Sequence, residues 1–282
     1  MNKRIKEKLR NSWARMAVFY FLDAVNYLKY RFLKKDLVFV YQMGKVASSS
    51  IYYSLKEKKK VVYHIHRLNK DHIRELHKVH LEKTGLIESK AVDERGIRLY
   101  NIFIKNNKRP VYIISLVRNP IERNMSAFFQ NKEYYTKQHN YSDTDKLTNL
   151  FYNLYDHDTP LMWFDREFKH CLNINIYDSP FPKEVKYKIL KSENFNILLM
   201  RVDIEDSIKE NIICDFLGIK NFKLKNKNVG TLKSYNEEYK EFKRTVKLSE
   251  GYINRMLNSK FANYFYTNDE INEIKKKWLK KI

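Results

Sequence analysis

The chain has 282 residues, of which 43% are hydrophobic and 15% aromatic, too much apolar side chain for a disordered polymer and enough for a sizeable core. Lys and Arg number 55 against 33 Asp and Glu, a formal charge of +22, so the surface carries a positive potential that attracts phosphates, nucleic acid, acidic glycans or anionic lipid head groups. The two cysteines, Cys171 and Cys214, have no paired spacing, which supports neither a disulfide framework nor a zinc cage and fits a reducing, cytoplasmic setting.

No Pro/Gly/Ser-rich linker interrupts the chain, and the reading is an N-terminal amphipathic helical segment over residues 1–35 followed by a single α/β domain over 36–282. The apolar stretch from Trp13 to Leu33 is broken by Arg15, Asp23, Lys29 and Arg31. It falls short of the roughly 18 charge-free residues of a spanning helix and has no small-residue cleavage site. Two placements stay open for it: flat on an anionic membrane surface at the inner face, or packed on the protein's own sheet.

The run from Leu37 to Tyr41 is β-branched and aromatic and stops at QMGKVASSS, after which IYYSLKEKKK is helical in pattern. Val61 to His66 follows as a second strand, so strand, loop, helix and strand form a right-handed parallel unit. Residues 71–94 are polar and helical, and Val111 to Val117 is the clearest strand, closed by Arg118 and Asn119-Pro120. Asn119 as N-cap, Pro120 at the first helical position and Glu122 at the third predict a capped helix with a reciprocal carboxylate. Residues 143–168 read as mixed helix, NINIYD and NILLMRVD as two short strands, and the tail after Lys233 as helical. Alternating strands and helices imply an α/β fold whose mainly parallel sheet is covered by helices on both faces.

A Gly and a Lys at the end of a buried strand, with small residues opening a helix, let backbone N–H groups converge on an anion while the Lys supplies full charge. Gly44, Lys45, Val46, Ala47, Ser48, Ser49 and Ser50 fit that arrangement. The Walker pattern is not met, because Phe39 stands in place of its first Gly and Val46 in place of its metal-binding hydroxyl. That argues against a kinase-like transferase. The loop resembles the 5′-phosphosulfate loop of sulfotransferases that use 3′-phosphoadenylyl sulfate (PAPS), and LVRNPIERNMSAFF looks like the 3′-phosphate motif of the same family, with Arg118 and Ser126 eight positions apart. The segments PLMWFDREF and YFYTNDEINEIKKKW are similar to a bacterial subgroup of capsular polysaccharide synthesis proteins that look like sulfotransferases.

This resemblance implies a P-loop-like sulfotransferase architecture, PAPS as donor, adenosine 3′,5′-bisphosphate as product, no required metal, and a carbohydrate or glycolipid acceptor with no specific nucleic acid. It implies that the loop and Lys45 hold the 5′-phosphate and the leaving oxygen, that Arg118 and Ser126 hold the 3′-phosphate, and that Lys233 closes over the nucleotide. A base must take the acceptor's proton, and His64 and His66 at the end of the second strand are the candidates, with His66 nearer the edge; Asp165 stays open as a carboxylate alternative. His72, His77 and His80 read as a solvated basic helix rather than a metal site, Glu167 as part of a charged helix face, and Trp163 as core. Other readings kept open are a basic protein that binds nucleic acid or another polyanion without catalysis, and a kinase-like P-loop transferase.

Overall fold

A computed structural model describes residues 13–58, 60–84, 90–105, 109–135, 144–225 and 236–280. Its centre is a five-stranded sheet. Strands β1 (Leu37–Tyr41), β2 (Val61–Ile65) and β3 (Val111–Val117) are followed by β4 (Tyr187–Lys191) and β5 (Phe195–Arg201), in the spatial order β2-β1-β3-β5-β4. All neighbours pair parallel except β4, which runs antiparallel to β5 at the edge. Every residue of β1 is buried, and β3 and β5 each show one half-buried position, so both faces of the central strands are covered, as continuous apolar runs require.

The chain leaves β1 through α1 (Ser49–Glu57) to β2 on one side, then crosses through α2 (Lys70–Thr84) and α3 (Lys90–Phe103) to β3 on the other side of β1. Successive connections therefore diverge between β1 and β3, which opens a crevice at the C-terminal ends of these strands. The register aligns Tyr41 with Ile65 and Val40 with both His64 and Ile114, so the segments that follow β1, β2 and β3 emerge at one edge.

The helix after β3, α4 (Pro120–Gln130), begins as expected at Asn119, whose Oδ1 accepts from the N–H of Ile121 at 3.0 Å and of Glu122 at 3.4 Å. The reciprocal half of the cap does not form. Glu122 turns instead to Arg118, Lys243 and Lys277, which together hold its carboxyl down near a pKa of about 2 against the cost of its burial.

NILLMRVD forms β5, but NINIYD is not a strand. Asn173 adopts a left-handed φ of 56° and Ile176–Asp178 is one turn of 3-10 helix capped by the Asn175 side chain. The strand missing from the sequence reading is β4, a lysine-rich edge strand whose alternation is weakened by its exposure. At the end of β5 the Arg201 guanidinium is bracketed by Asp203 and Glu270, and so ties the C-terminal helix Asn268–Leu279 to the sheet.

The N-terminal helix, Trp13–Phe32, packs against β2 and α3, so the placement on the protein's own fold is the one observed. Its amphipathic pattern is the reverse of the usual one. Asp23 is buried on the inner side, paired with Arg95 and Arg98, while Phe21, Leu28 and Phe32 point outward.

Candidate functional site

A cavity of about 840 Å³ opens in the crevice at the C-terminal edge of β1, β2 and β3. It has the size of a small-molecule site. Three segments that are far apart in sequence supply its polar and cationic groups at the sheet edge. The loop after β1 supplies Gly44, Lys45, Ala47, Ser48, Ser49 and Ser50; the end of β2 supplies His64, His66 and Arg67; the start of α4 supplies Arg118, Arg123 and Ser126. Val46 faces the core with its side chain fully buried, so only its backbone is available to a ligand. Lys233 lies outside the described residues.

The loop's backbone is what an anion cradle requires. Gly44, Lys45 and Ala47 all have positive φ, 78°, 63° and 57° respectively. A left-handed residue followed by a right-handed one turns successive N–H groups to the same side, and Ala47 followed by Ser48 (φ −77°, ψ −14°) is such a pair at the mouth of α1. Left-handed φ at Lys and Ala costs on the order of 1 kcal/mol or more per residue and persists only where surrounding structure imposes it, a pattern concentrated at functional sites.

The two strand histidines are held neutral. Gln42, fully buried just after β1, donates from Nε2 to the Ser48 hydroxyl at 2.6 Å, and the Ser48 hydroxyl lies 2.8 Å from His64 Nε2, to which it donates. Burial pushes the His64 pKa down to about 4. His66 donates from Nδ1 to the Gln42 carbonyl at 2.9 Å, which leaves its Nε2 with the lone pair. His66 is exposed along the cavity surface, and desolvation by the surrounding wall first, then the neighbouring His64, Arg67 and Arg123, push its pKa down to about 3. The indole of Trp163 fixes the strand end by donating to the His66 carbonyl at 2.9 Å. Trp163 is otherwise a core residue, packed on Tyr41, Phe164 and Phe168.

Among the described residues four cations line the cavity, Lys45, Arg67, Arg118 and Arg123, against one carboxylate, Asp156. Asp156 is spent on its own turn, accepting from the Asp158 N–H at 3.0 Å and the Thr159 hydroxyl at 2.9 Å. Arg67 is matched by the buried Asp93 and Arg118 by Glu122, while Arg123 has no such counter-ion among the described residues. The residue is 6% exposed, and among the described residues its guanidinium donates only to neutral oxygens, those of Met43 (2.8 Å), Tyr155 (2.7 Å) and Asn124 (3.1 Å), with Nε unpartnered. A buried cation in that condition is costly and is relieved by an anion beside it.

Arg123, Arg67 and His72 are among the cavity residues that the motif reading missed. The signal for Arg123 was present, since Arg123, Ser126 and Gln130 recur at helical spacing and all three line the cavity. His72 is not solvated. It is buried in the cavity wall with Nδ1 on the carboxylate of Glu167. Glu167 in turn is fully buried rather than on a charged helix face, and accepts from Tyr41, from the Leu68 N–H at 2.8 Å and from the Asn69 N–H at 3.0 Å. His77 likewise engages a different carboxylate, Asp93, at 2.7 Å. Asp165 is not brought to the cavity; it lies 3.8 Å from Lys260.

Fold and site together define an α/β protein with an electropositive, anion-ready pocket at the switch point of a parallel sheet. Residues 139–267 match the family model NKWYS, described as "Putative capsular polysaccharide synthesis protein". That segment contributes the outer wall of the cavity, including Tyr155, Asp156, Thr159, Trp163 and Tyr239, and does not include the loop after β1 or Arg118. No curated protein and no solved structure matches the chain.

Proposed function

We propose that the chain is a sulfotransferase that moves a sulfuryl group from PAPS to a hydroxyl of a carbohydrate in capsular or cell-surface polysaccharide synthesis. The observation that carries this reading is the convergence of the left-handed Gly44–Ala47 loop, the Arg118 and Ser126 pair, and the counter-ion-poor Arg123 on one cavity. The family match supports the polysaccharide context.

In this reading the loop N–H groups from Lys45 to Ser50 and the α1 terminus hold the 5′-phosphate, and Arg118 with Ser126 holds the 3′-phosphate. The acceptor oxygen bonds to sulfur as the bond from sulfur to the bridging phosphate oxygen breaks, and the bond's electron pair leaves with the phosphate. Lys45 and Arg123 face that growing negative charge, and the acceptor's proton passes to the lone pair on His66 Nε2. Near a pKa of about 3 the imidazole is always neutral at pH 7 and ready to accept, but weakly basic; the anionic donor beside it raises its basicity when bound. The His72–Glu167 pair is a second oriented imidazole on the same wall, with Nε2 as its remaining nitrogen.

The test is thermal stabilisation by adenosine 3′,5′-bisphosphate against 5′-AMP, ADP and ATP with Mg²⁺. Stabilisation only by the 3′,5′-bisphosphate is the expected result. Stabilisation by ATP with Mg²⁺ alone points to a kinase-like transferase, and by none of them to a polyanion binder; either overturns the assignment.

A further inference from the structure

The N-terminal helix is apolar on the side that faces away from the protein. Its inner face, along Phe19, Asp23 and Tyr30, is riveted to the fold. Asp23 is paired with Arg95 and Arg98, those guanidinium groups lie over the rings of Phe19 and Tyr20, and Arg109 lies over Tyr30 and donates to its carbonyl at 2.7 Å. Val18, Phe21, Val25, Leu28 and Phe32 follow one another at intervals of three or four residues and so form one stripe about 180° from Asp23. Phe21 is 68% and Phe32 71% exposed, and Leu22 and Leu33 are exposed beside them.

Among the described residues, the exposed charges of this helix and its end have one sign. Asp23 is the only carboxylate between Trp13 and Lys35, and it is buried and paired. Lys29, Arg31, Lys34 and Lys35 are exposed at the end of the helix. No described helix is long and apolar enough to cross a membrane.

We infer that this face docks the protein on an anionic lipid surface, with the Val18–Phe32 stripe inserted at the head-group boundary and the flanking cations on the phosphates. Aromatic and aliphatic side chains over a basic border are the composition of an interfacial helix, and an acidic-lipid surface is the partner that matches both parts. The short connection from Leu33 to β1 places the cationic end of the helix at the sheet edge opposite the cavity, so the inference does not depend on what the cavity binds.

The full chain is mixed with vesicles of phosphatidylcholine alone and of phosphatidylcholine with phosphatidylglycerol, and sedimented. The expected result is association with the mixed vesicles only, weakened at high salt, about tenfold or more lower for Phe21→Ser combined with Phe32→Ser, and similarly lower for Lys29→Glu combined with Arg31→Glu. All four positions are exposed, and unchanged thermal midpoints confirm that the variants are folded. Equal association with both vesicle types, association unaffected by either pair of substitutions, or no vesicle association would overturn the inference. A dimer in sedimentation that Phe21→Ser with Phe32→Ser dissociates, without vesicle binding, would assign the face to a second copy instead.

Discussion

Arg118 and Glu122 offer a prediction that separates a phosphate-holding arginine from a structural one. Arg118 Nη2 lies 3.2 Å from Glu122 Oε2, and Glu122 is also gripped by Lys243 at 3.1 Å and Lys277 at 2.9 Å. When Arg118 turns to a phosphate, Glu122 keeps two cations and is not left as an uncompensated charge. Arg118→Ala removes a charge-assisted contact of about 1.5–3 kcal/mol, which weakens binding of the 3′,5′-bisphosphate about 10- to 150-fold. Binding of 5′-AMP, which lacks the 3′-phosphate, changes little. At a ligand concentration about 100 times the wild-type dissociation constant, the stabilisation falls from about 2.7 kcal/mol to about 0.3–1.4 kcal/mol, and each kcal/mol moves the midpoint of a chain near this size by about 2–4 °C. Glu122→Gln should act in the opposite direction, strengthening bisphosphate binding by freeing Arg118 from its resident competitor. Titration calorimetry of both nucleotides on both variants reads the difference directly. An equal loss for 5′-AMP and the bisphosphate in Arg118→Ala would refute the reasoning, because it would mean the variant had disturbed the cavity rather than removed a phosphate contact.

Three further outcomes follow from the geometry. His66→Ala should leave bisphosphate binding intact and lower turnover about 10²-fold or more in a sulfuryl-transfer assay; unchanged turnover combined with a large loss in His72→Ala would move the base to the Glu167-oriented imidazole. Because His64 and His66 titrate near 4 and near 3 in the folded chain against an ordinary 6.5, the unfolded chain binds the extra protons first as pH falls, so stability is full above about pH 6.5 and declines from there toward pH 3. Urea midpoints across this range should show that slope, and His64→Gln should flatten it; an identical slope in the variant would exclude the pair as its source. At Gly96 a Cβ would sit 2.3 Å from the Arg67 carbonyl oxygen, so Gly96→Ala must push α3 away from the segment carrying His66 and Arg67. A loss of about 1–3 kcal/mol in urea unfolding is expected, and an unchanged midpoint would show that the contact relaxes freely.

The apolar runs of β1, β3 and β5 and the Asn119-Pro120 cap were legible in the chain because each depends on near neighbours: burial on both faces demands continuous hydrophobics, and a cap demands one side chain at a fixed offset. The loop of residues 44–50 leading from β1 into α1 and the spacing that brings Arg118 and Ser126 to one cavity were legible for the same local reason. The lysine-rich β4 and the turn at Asn173–Asp178 were misread because an edge strand has little burial to write into its sequence, and because NINIYD has strand-like alternation while Asn173 turns left-handed. No local pattern pairs His72 with Glu167 across 95 positions, turns Glu122 from its own cap to Lys243 and Lys277, or buries Arg123 without a counter-ion. Those are decided only when the crossing from β2 to β3 brings three strand ends to one edge. Residue type and spacing thus state which local elements and candidate polar groups the chain carries, and tertiary packing decides which charges are matched, because desolvation and pairing depend on distances that only the folded chain sets.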